Sequence, residues 1–148
     1  MRALVQRVRS AAVRVAGETV GGIGPGLLIY AAVAPTDTAA QSSWMAGKIT
    51  RLRVFPDEAG KLNRDVREAG GAILLISAFT LLADASRGNR PSFDAAAGAA
   101  FASPLVERLG EELRGAGVAV ATGRFGADMQ VESTNDGPIC ILLESPAM

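Results

Sequence analysis

Histidine is absent from this chain of 148 residues, and cysteine occurs only once, at Cys140. A single cysteine cannot form a disulfide within the chain. Without histidine, neither a zinc site of the usual type nor a histidine-based catalytic triad can be built. A hydrolytic activity would therefore need another means of activation, and we expect neither a metal nor an organic cofactor.

An excess of charge of either sign is also missing, because fifteen basic and fifteen acidic residues cancel. Proteins that bind a long stretch of nucleic acid displace counterions from many phosphates, and such proteins are usually basic. If RNA is the substrate of this chain, we therefore expect the contact to be short.

Long apolar runs are lacking as well, although 49% of the residues are hydrophobic. The longest runs, 26–34 and 71–76, have the length of strands and not the roughly 20 residues that span a bilayer. The first residues lack the apolar core of a signal peptide. We expect a soluble, cytoplasmic protein without a membrane partner, in which residues 1–148 form one domain around a single core.

Several segments show the periodicity or the composition of strands. Apolar residues alternate with polar ones over 4–8 and again at Val13 and Val15, which predicts a hairpin. The continuous apolar runs 27–33 and 72–76 predict strands that are buried on both faces. Shorter strands are expected at 53–55, 118–120, 129–132 and 139–143.

Two main helices are predicted between these strands. Capping oxygens followed by apolar residues at helical spacing predict an amphipathic helix over 38–51. A weak helix is expected over 94–102, and a stronger one begins at the cap Ser103, with Pro104 in its first position. The sum predicts a mixed α/β fold, with a curved, largely antiparallel sheet or barrel-like core and two main helices.

Two hydroxyls follow the second apolar run, at Ser77 and Thr80. A hydroxyl nucleophile needs a base, and the chain has no histidine and only two lysines. Taken alone, the two hydroxyls are typical of groups that satisfy the local backbone. The functional alternative is that backbone N–H groups at this strand end polarise an ester carbonyl, as an oxyanion hole does.

Two glycine-containing segments leave similar alternatives open. Gly137-Pro138 lies in a tight turn, for which a trans bond is the default. Arg124 and Phe125 lie between two glycines and could form a stacking platform for a base with a phosphate contact. The alternative is a loop with a buried phenylalanine and a solvated arginine.

Six segments, which follow one another along essentially the whole chain, favour the functional interpretations over the structural ones. They are MRALVQRV at 1–8, GIGPGLL at 22–28, LRVF and GKLN within 52–63, RPSF at 90–93, TGRFGADM at 122–129 and NDGP at 135–138. In order and spacing they resemble the D-aminoacyl-tRNA deacylases, also described as the D-tyrosyl-tRNA deacylase family. No single segment is specific for this family, but six segments in the same order and spacing are specific.

The resemblance implies a homodimeric proofreading enzyme that acts on the aminoacylated 3′ end of tRNA. Its members hydrolyse the ester between a D-amino acid, or glycine, and the terminal adenosine. A cis Gly-Pro motif, here Gly137 and Pro138, enters the pocket of the other subunit. Its carbonyls hold the substrate's α-amino group, so that an L side chain would collide with the motif. Arg7 matches the arginine that orients the motif.

The resemblance also implies the pocket residues. They are the catalytic Ser77, Phe79 and Thr80, and the substrate-binding Ala78, Phe125 and Met129. Backbone groups near Phe79 and Thr80 would face the scissile carbonyl, and Phe125 would pack on the adenine. The resemblance implies that catalysis relies on positioning and on the 2′-hydroxyl of the tRNA rather than on a side-chain base, which agrees with the absence of histidine.

Two positions depart from the family pattern. Ala78 stands where glutamine is usual, and Cys140 stands where threonine is usual. The loss of the amide and of the hydroxyl removes hydrogen-bonding groups, yet our hypothesis is that a mechanism made of backbone atoms survives. Two alternatives remain: a relative with altered chirality control, acting mainly on glycyl-tRNA or a misacylated L-amino acid, and a non-catalytic dimer that binds tRNA ends or another ligand.

Overall fold

The computed structural model describes residues 1–148 and has the predicted mixed α/β fold with two main helices. Its elements are β1 (Arg2–Val15), β2 (Glu18–Ile23), β3 (Gly26–Ala32), α1 (Ala39–Arg51), β4 (Phe55–Pro56), β5 (Leu62–Arg64), β6 (Ala72–Ser77), α2 (Ala99–Gly115), β7 (Val120–Thr122) and β8 (Gln130–Glu144). A short 3-10 turn, Phe79–Leu82, follows β6. Neither α1 nor α2 combines the length and the apolar character that crossing a membrane requires.

The main sheet has six strands and curls into a nearly closed barrel. Its order is β2-β1-β3-β6-β7, and β8 pairs with β1. The pairs formed by β1 are antiparallel, whereas β3 with β6 and β6 with β7 are parallel. The first strand of this order, β2, contacts β6 and β7 at the other side of the curl. The expected curved, largely antiparallel core is thereby confirmed.

Successive residues of β3 serve two apolar clusters, one on each face of the sheet. Leu27 and Ile29 pack with the helices, where Met45, Ile49 and Leu109 are fully buried. The residues between them on β3 point into the barrel, which contains Val8, Val13, Leu28, Leu74 and Ile76. Burial on both faces explains why run 27–33 is continuously apolar.

The helix predicted over 38–51 is confirmed in α1. Thr38 forms a capping box with Gln41: the Thr38 hydroxyl accepts from the backbone N–H of Ala40, and the Gln41 side chain accepts from the backbone N–H of Thr38 at 2.8 Å. These bonds satisfy orphan donors at the start of the helix. Local chemistry alone therefore fixes this boundary.

The hairpin predicted between 4–8 and Val13 is wrong, because β1 runs unbroken from Arg2 to Val15. Residues 10–12 are paired with β8, and Ala11 and Ala12 also with β2, so no turn is available there. The chain reverses only at Ala16 and Gly17, both at positive φ. Likewise the strands predicted at 129–132 and 139–143 are the two halves of β8.

The start of the second helix was also predicted wrongly. No helix covers 94–98, and α2 begins at Ala99 instead of Ser103, with Pro104 in its interior. Alanine is the strongest helix former, and Ala102 is buried against the core, which favours the earlier start. Pro104 lacks one N–H donor near the beginning of the helix. The helix ends before Gly117, which has a φ of 91°.

Candidate active site

A cavity of about 620 Å³ opens at the mouth of the barrel, where the parallel strands β3 and β6 end at the same edge. Fifteen of its eighteen lining residues are hydrophobic, and none carries a charge. Its polar side chains are the hydroxyls of Tyr30, Ser77 and Thr80. No group of three or more His, Cys, Asp or Glu side chains is placed to hold a metal ion. The chemistry available in the cavity is that of hydroxyls and backbone groups.

The segment after β6 forms one wall. The backbone N–H of Ala78 donates to the oxygen of Ala31 at 2.8 Å, which keeps the segment beside β3. Phe79 then begins the 3-10 turn, in which the N–H of Leu81 donates to the oxygen of Ala78. The first N–H groups of such a turn have no partner within it. Phe79 and Thr80 thus bring unoccupied turn donors to the cavity wall.

The ring of Phe79 is 56% exposed and packs edge-on against Phe93, with a centroid distance of 5.2 Å. Edge-to-face packing is a preferred arrangement for aromatic pairs. The contact ties the 3-10 turn to the irregular segment before α2. The RPSF sequence at 90–93 therefore supports the cavity wall from outside.

Phe125 and Met129 belong to a second wall, which depends on a glycine. The N–H of Gly123 donates to the oxygen of Leu75 at 3.1 Å, and a Cβ on Gly123 would lie 2.6 Å from the sulfur of Met129. Only glycine lets Met129 pack so closely here. Phe125 lines the cavity and is 38% exposed, so the alternative of a buried phenylalanine is wrong.

Tyr30 is a cavity residue that sequence reasoning missed. It lies near the end of β3, and its burial raises the pKa of its phenol, so the hydroxyl stays protonated and can donate. The sequence contained an indication of this position, since Tyr30 is the only tyrosine of the chain and interrupts an aliphatic run. Ala102 and Val106 of α2 also line the cavity, but their apolar pattern suggested only core positions.

Gly137 and Pro138 lie on β8, are exposed, and are not among the residues that line the cavity of the same chain. The peptide bond between them is cis. Gly137 has a φ of 148°, and a Cβ there would lie 2.7 Å from the nitrogen of Ile139. The side chain of Asn135 accepts from the N–H of Ile139 at 2.9 Å and donates to its oxygen at 3.2 Å. The side chain of Asn135 therefore closes the turn by binding both backbone groups of Ile139.

Arg7 lies behind this turn and is nearly buried. Its guanidinium donates to the backbone oxygens of Asp136, at 2.9 Å, and Val54, at 2.6 Å. Nearby, the sulfur of Cys140 accepts weak hydrogen bonds of 3.4 Å from Gln6 and from Asn135.

The structure thus sorts the predicted site residues into two groups. One group lines the cavity: Ser77, Ala78, Phe79, Thr80, Phe125 and Met129. The other lies around the exposed turn: Arg7, Gly137 and Pro138. Within one chain, the turn contributes nothing to the lining of the cavity.

Comparisons with known proteins identify a family and a fold. The model of the D-Tyr-tRNA(Tyr) deacylase family matches residues 4–144. A D-aminoacyl-tRNA deacylase of Cereibacter sphaeroides is 54% identical over 98% of this chain and 100% of its own length. The enzyme of that name from Chlorobaculum parvum is 52% identical over 99% of both chains. The solved structure of a c-Myc DNA Unwinding Element Binding Protein superposes with a TM-score of 0.93 at 40% identity, covering 99% of this chain and 100% of the other.

Proposed function

Because the chain belongs to the D-Tyr-tRNA(Tyr) deacylase family and is a hydrolase of D-aminoacyl-tRNA, we propose that the cavity at the barrel mouth holds the aminoacylated terminal adenosine. The supporting observation is that the six positions that the resemblance assigns to the pocket converge on one uncharged cavity. Its volume of about 620 Å³ falls within the range of ligand pockets.

The adenine packs on Phe125, beside Met129, at the half-exposed rim. Aromatic side chains stack on nucleobases in this way. The backbone N–H groups of Phe79 and Thr80 polarise the ester carbonyl as it becomes tetrahedral. Water attacks that carbonyl, and the terminal 2′-hydroxyl of the tRNA assists, because no side chain of the cavity can serve as a base near neutral pH.

Chiral selection comes from a second copy of the chain. Gly137 and Pro138 are exposed and lie outside the cavity of their own chain, so we propose that each subunit of a homodimer inserts them into the cavity of the other. The same strand exposes 55% of Leu142, an apolar surface that a partner would cover. The motif's carbonyls accept hydrogen bonds from the substrate's α-ammonium group.

With the ammonium and the ester carbonyl both fixed, only one position remains for each substituent of the α-carbon. A D side chain points away from the motif, an L side chain collides with it, and glycine has no side chain to exclude. We therefore expect glycyl-tRNA to be a substrate beside D-aminoacyl-tRNA. Exclusion by backbone atoms is independent of the identity of the side chain, which suits an enzyme that must accept many D-amino acids.

The test is the release of amino acid from D-tyrosyl-, L-tyrosyl- and glycyl-tRNA at catalytic protein concentration, with a chelator present. Fast loss of the D ester and of glycine, with the L ester intact, is the expected result. Release of the L ester would favour the alternative of altered chirality control. Sedimentation equilibrium tests the homodimer, and a monomer with full activity would contradict the exchange of the Gly137–Pro138 turn.

A further inference from the structure

A second groove, of about 380 Å³, lies directly beside the cavity. The two share Ser77, Val106 and Phe125, so they adjoin at these residues. A chain that leaves the cavity past Phe125 therefore enters this groove. Unlike the cavity, the groove has only three hydrophobic residues among its eleven.

The charged residues of the groove come from its two sides. Glu107, Glu111 and Arg114 come from α2, and Arg124 comes from the segment after β7. Arg124 and Glu111 take part in none of the side-chain hydrogen bonds or salt bridges of the structure, and Arg114 makes only a 3.3 Å bond to the backbone oxygen of Val120.

The rest of α2 shows a different pattern. Arg108 and Glu112, outside the groove, are paired at 2.8 Å. The carboxylate of Glu107 accepts only from the hydroxyl of Ser103, at 3.1 Å. The groove thus keeps its cations and the carboxylate of Glu111 available, whereas Arg108 and Glu112 on the neighbouring surface are paired with each other.

We propose that this groove binds the nucleotide that precedes the terminal adenosine, which in tRNA is a cytidine. This inference rests on the proposed placement of the adenosine in the cavity. Arg114 and Arg124 would contact the connecting phosphate, and the carboxylates of Glu107 and Glu111 would accept from the amino group of cytosine, a pairing known from base recognition. Mixed charge fits a cytidine nucleotide better than it fits a simple anion. A contact of two nucleotides also agrees with a chain of zero net charge.

Gly110 makes the groove testable. Gly110 is buried in α2, and a Cβ at this position would meet Leu75 at 3.6 Å and Arg114 at 3.7 Å, which are ordinary contacts, so the rest of a longer side chain would have to extend past Arg114 into the groove. Glycine to glutamine also favours the helical state. Gly115, at the exposed end of the same helix with nothing within 4 Å, offers the matched control.

The experiment compares hydrolysis of two small esters that carry the same D-amino acid, one on adenosine and one on the dinucleotide cytidylyl-adenosine. The quantity measured is the ratio of kcat/KM for the dinucleotide ester to kcat/KM for the adenosine ester. Since stacking and phosphate contacts strengthen binding by a factor of roughly ten per nucleotide, we expect a ratio on the order of ten for the unaltered protein and for Gly115→Gln. In Gly110→Gln and in Arg124→Ala the ratio should fall toward one.

A ratio near one in the unaltered protein overturns the proposal. The proposal is also overturned if Gly110→Gln leaves the ratio unchanged while circular dichroism shows that this variant is folded. If neither ester is hydrolysed, the result contradicts the proposed function of the cavity and does not test the groove. Calorimetry with cytidylyl-adenosine and with adenosine, neither of them aminoacylated, then tests the groove separately. The proposal requires tighter binding of the dinucleotide, and requires that Gly110→Gln abolish this difference.

Discussion

The Nε atom of Arg7 lies 2.9 Å from the backbone oxygen of Asp136, the residue that precedes Gly137. The same guanidinium donates to the backbone oxygen of Val54 at 2.6 Å, so one side chain joins β1, the segment before β4 and the exposed turn. The side chain is only 12% exposed, which protects both bonds from competition with water. Arg7 therefore fixes the turn relative to two other parts of the fold.

Replacing Arg7 by lysine should lower kcat/KM for D-tyrosyl-tRNA by about tenfold, because an ammonium group cannot reproduce the forked geometry that reaches two carbonyls. The unfolding midpoint should change by only a few degrees. Deacylation assays and thermal melts measure the two effects. Arg9→Lys is the control, since Arg9 is 76% exposed and reaches only the carboxylate of Asp136, at 3.7 Å. Equal losses in both variants would contradict a special role for Arg7.

Asn135 should not tolerate replacement by aspartate. The change removes the donor to the oxygen of Ile139 and adds a charge beside Asp136, while keeping the acceptor for the N–H of Ile139. We expect a loss of about 1–2 kcal/mol in the free energy of unfolding, together with lower activity. Urea titrations and deacylation assays check this. Thr134→Ala, at the exposed position next to it, serves as the control and should change little.

Elements with local signals were predictable from the sequence, and elements with distant partners were not. The Thr38 capping box and the helical spacing of Met45 and Ile49 lie within a few residues of each other, and α1 followed the prediction. The continuity of β1 depends on pairing with β8, more than a hundred residues away, and register shifts at Val8 leave no trace in a local pattern. The earlier start of α2 depends on burial of Ala102, which spacing does not show.

The residues of the candidate site also divide into those that the sequence predicted and those that it did not. Ser77, Phe79 and Phe125 were identified through the resemblance, and the structure brings them to one cavity. Tyr30 was missed, because in a buried apolar strand an aromatic residue reads as core. The charged groove was missed because its arginines and glutamates are spread over α2 and the segment after β7, and only the packing of the two places them together.

Restoring the family residues should change the rate little. Ala78→Gln adds an amide at the cavity wall, and Cys140→Thr replaces a sulfur that accepts two bonds of 3.4 Å with a better acceptor. If the reacting groups are backbone atoms, kcat for D-tyrosyl-tRNA should stay within about threefold in the double variant, because hydrogen bonds that are equally strong in the ground state and the transition state do not change kcat. Single-turnover assays measure it. A gain of two orders of magnitude would show that these side chains belong to the mechanism.

Asp65 should make stability depend on pH in the acid range. Burial raises the pKa of its carboxyl, but the hydrogen bonds from the Arg67 side chain and from the backbone N–H of Glu68 outweigh that effect and hold the pKa below its usual value. A carboxyl with a lowered folded-state pKa stabilises the protein above its unfolded-state pKa, near 4, and this contribution disappears as the pH falls through the folded-state pKa.

Asp65→Asn should therefore cost about 1–2 kcal/mol at pH 7, and the difference from the unaltered protein should narrow below pH 4. Urea unfolding at several pH values measures both. Asp94→Asn, at an exposed position, should show no such difference at any pH. A destabilisation by Asp65→Asn that persists undiminished at pH 2 would mean that Asp65 acts through its shape and not through its charge.

Closure of the barrel should depend on Gly21 and not on its neighbour Gly22. A Cβ at Gly21 would lie 2.5 Å from the backbone oxygen of Thr122 in β7, so an alanine must push β2 and β7 apart. A Cβ at Gly22 would meet the oxygen of Ala11 at 3.5 Å, an ordinary contact. We expect Gly21→Ala to destabilise the protein by about 1–3 kcal/mol and Gly22→Ala to have little effect.

The same change should reach the active site, because Thr122 precedes Gly123, whose close contact with Met129 positions the wall that carries Phe125. In Gly21→Ala, KM for D-tyrosyl-tRNA should therefore rise by a larger factor than kcat falls, since the adenosine contact is disturbed while the 3-10 turn on the other wall is not. Steady-state kinetics on Gly21→Ala and Gly22→Ala separate the two parameters. A loss confined to kcat would place the effect at the Phe79 wall, and would argue that β7 does not position the nucleotide.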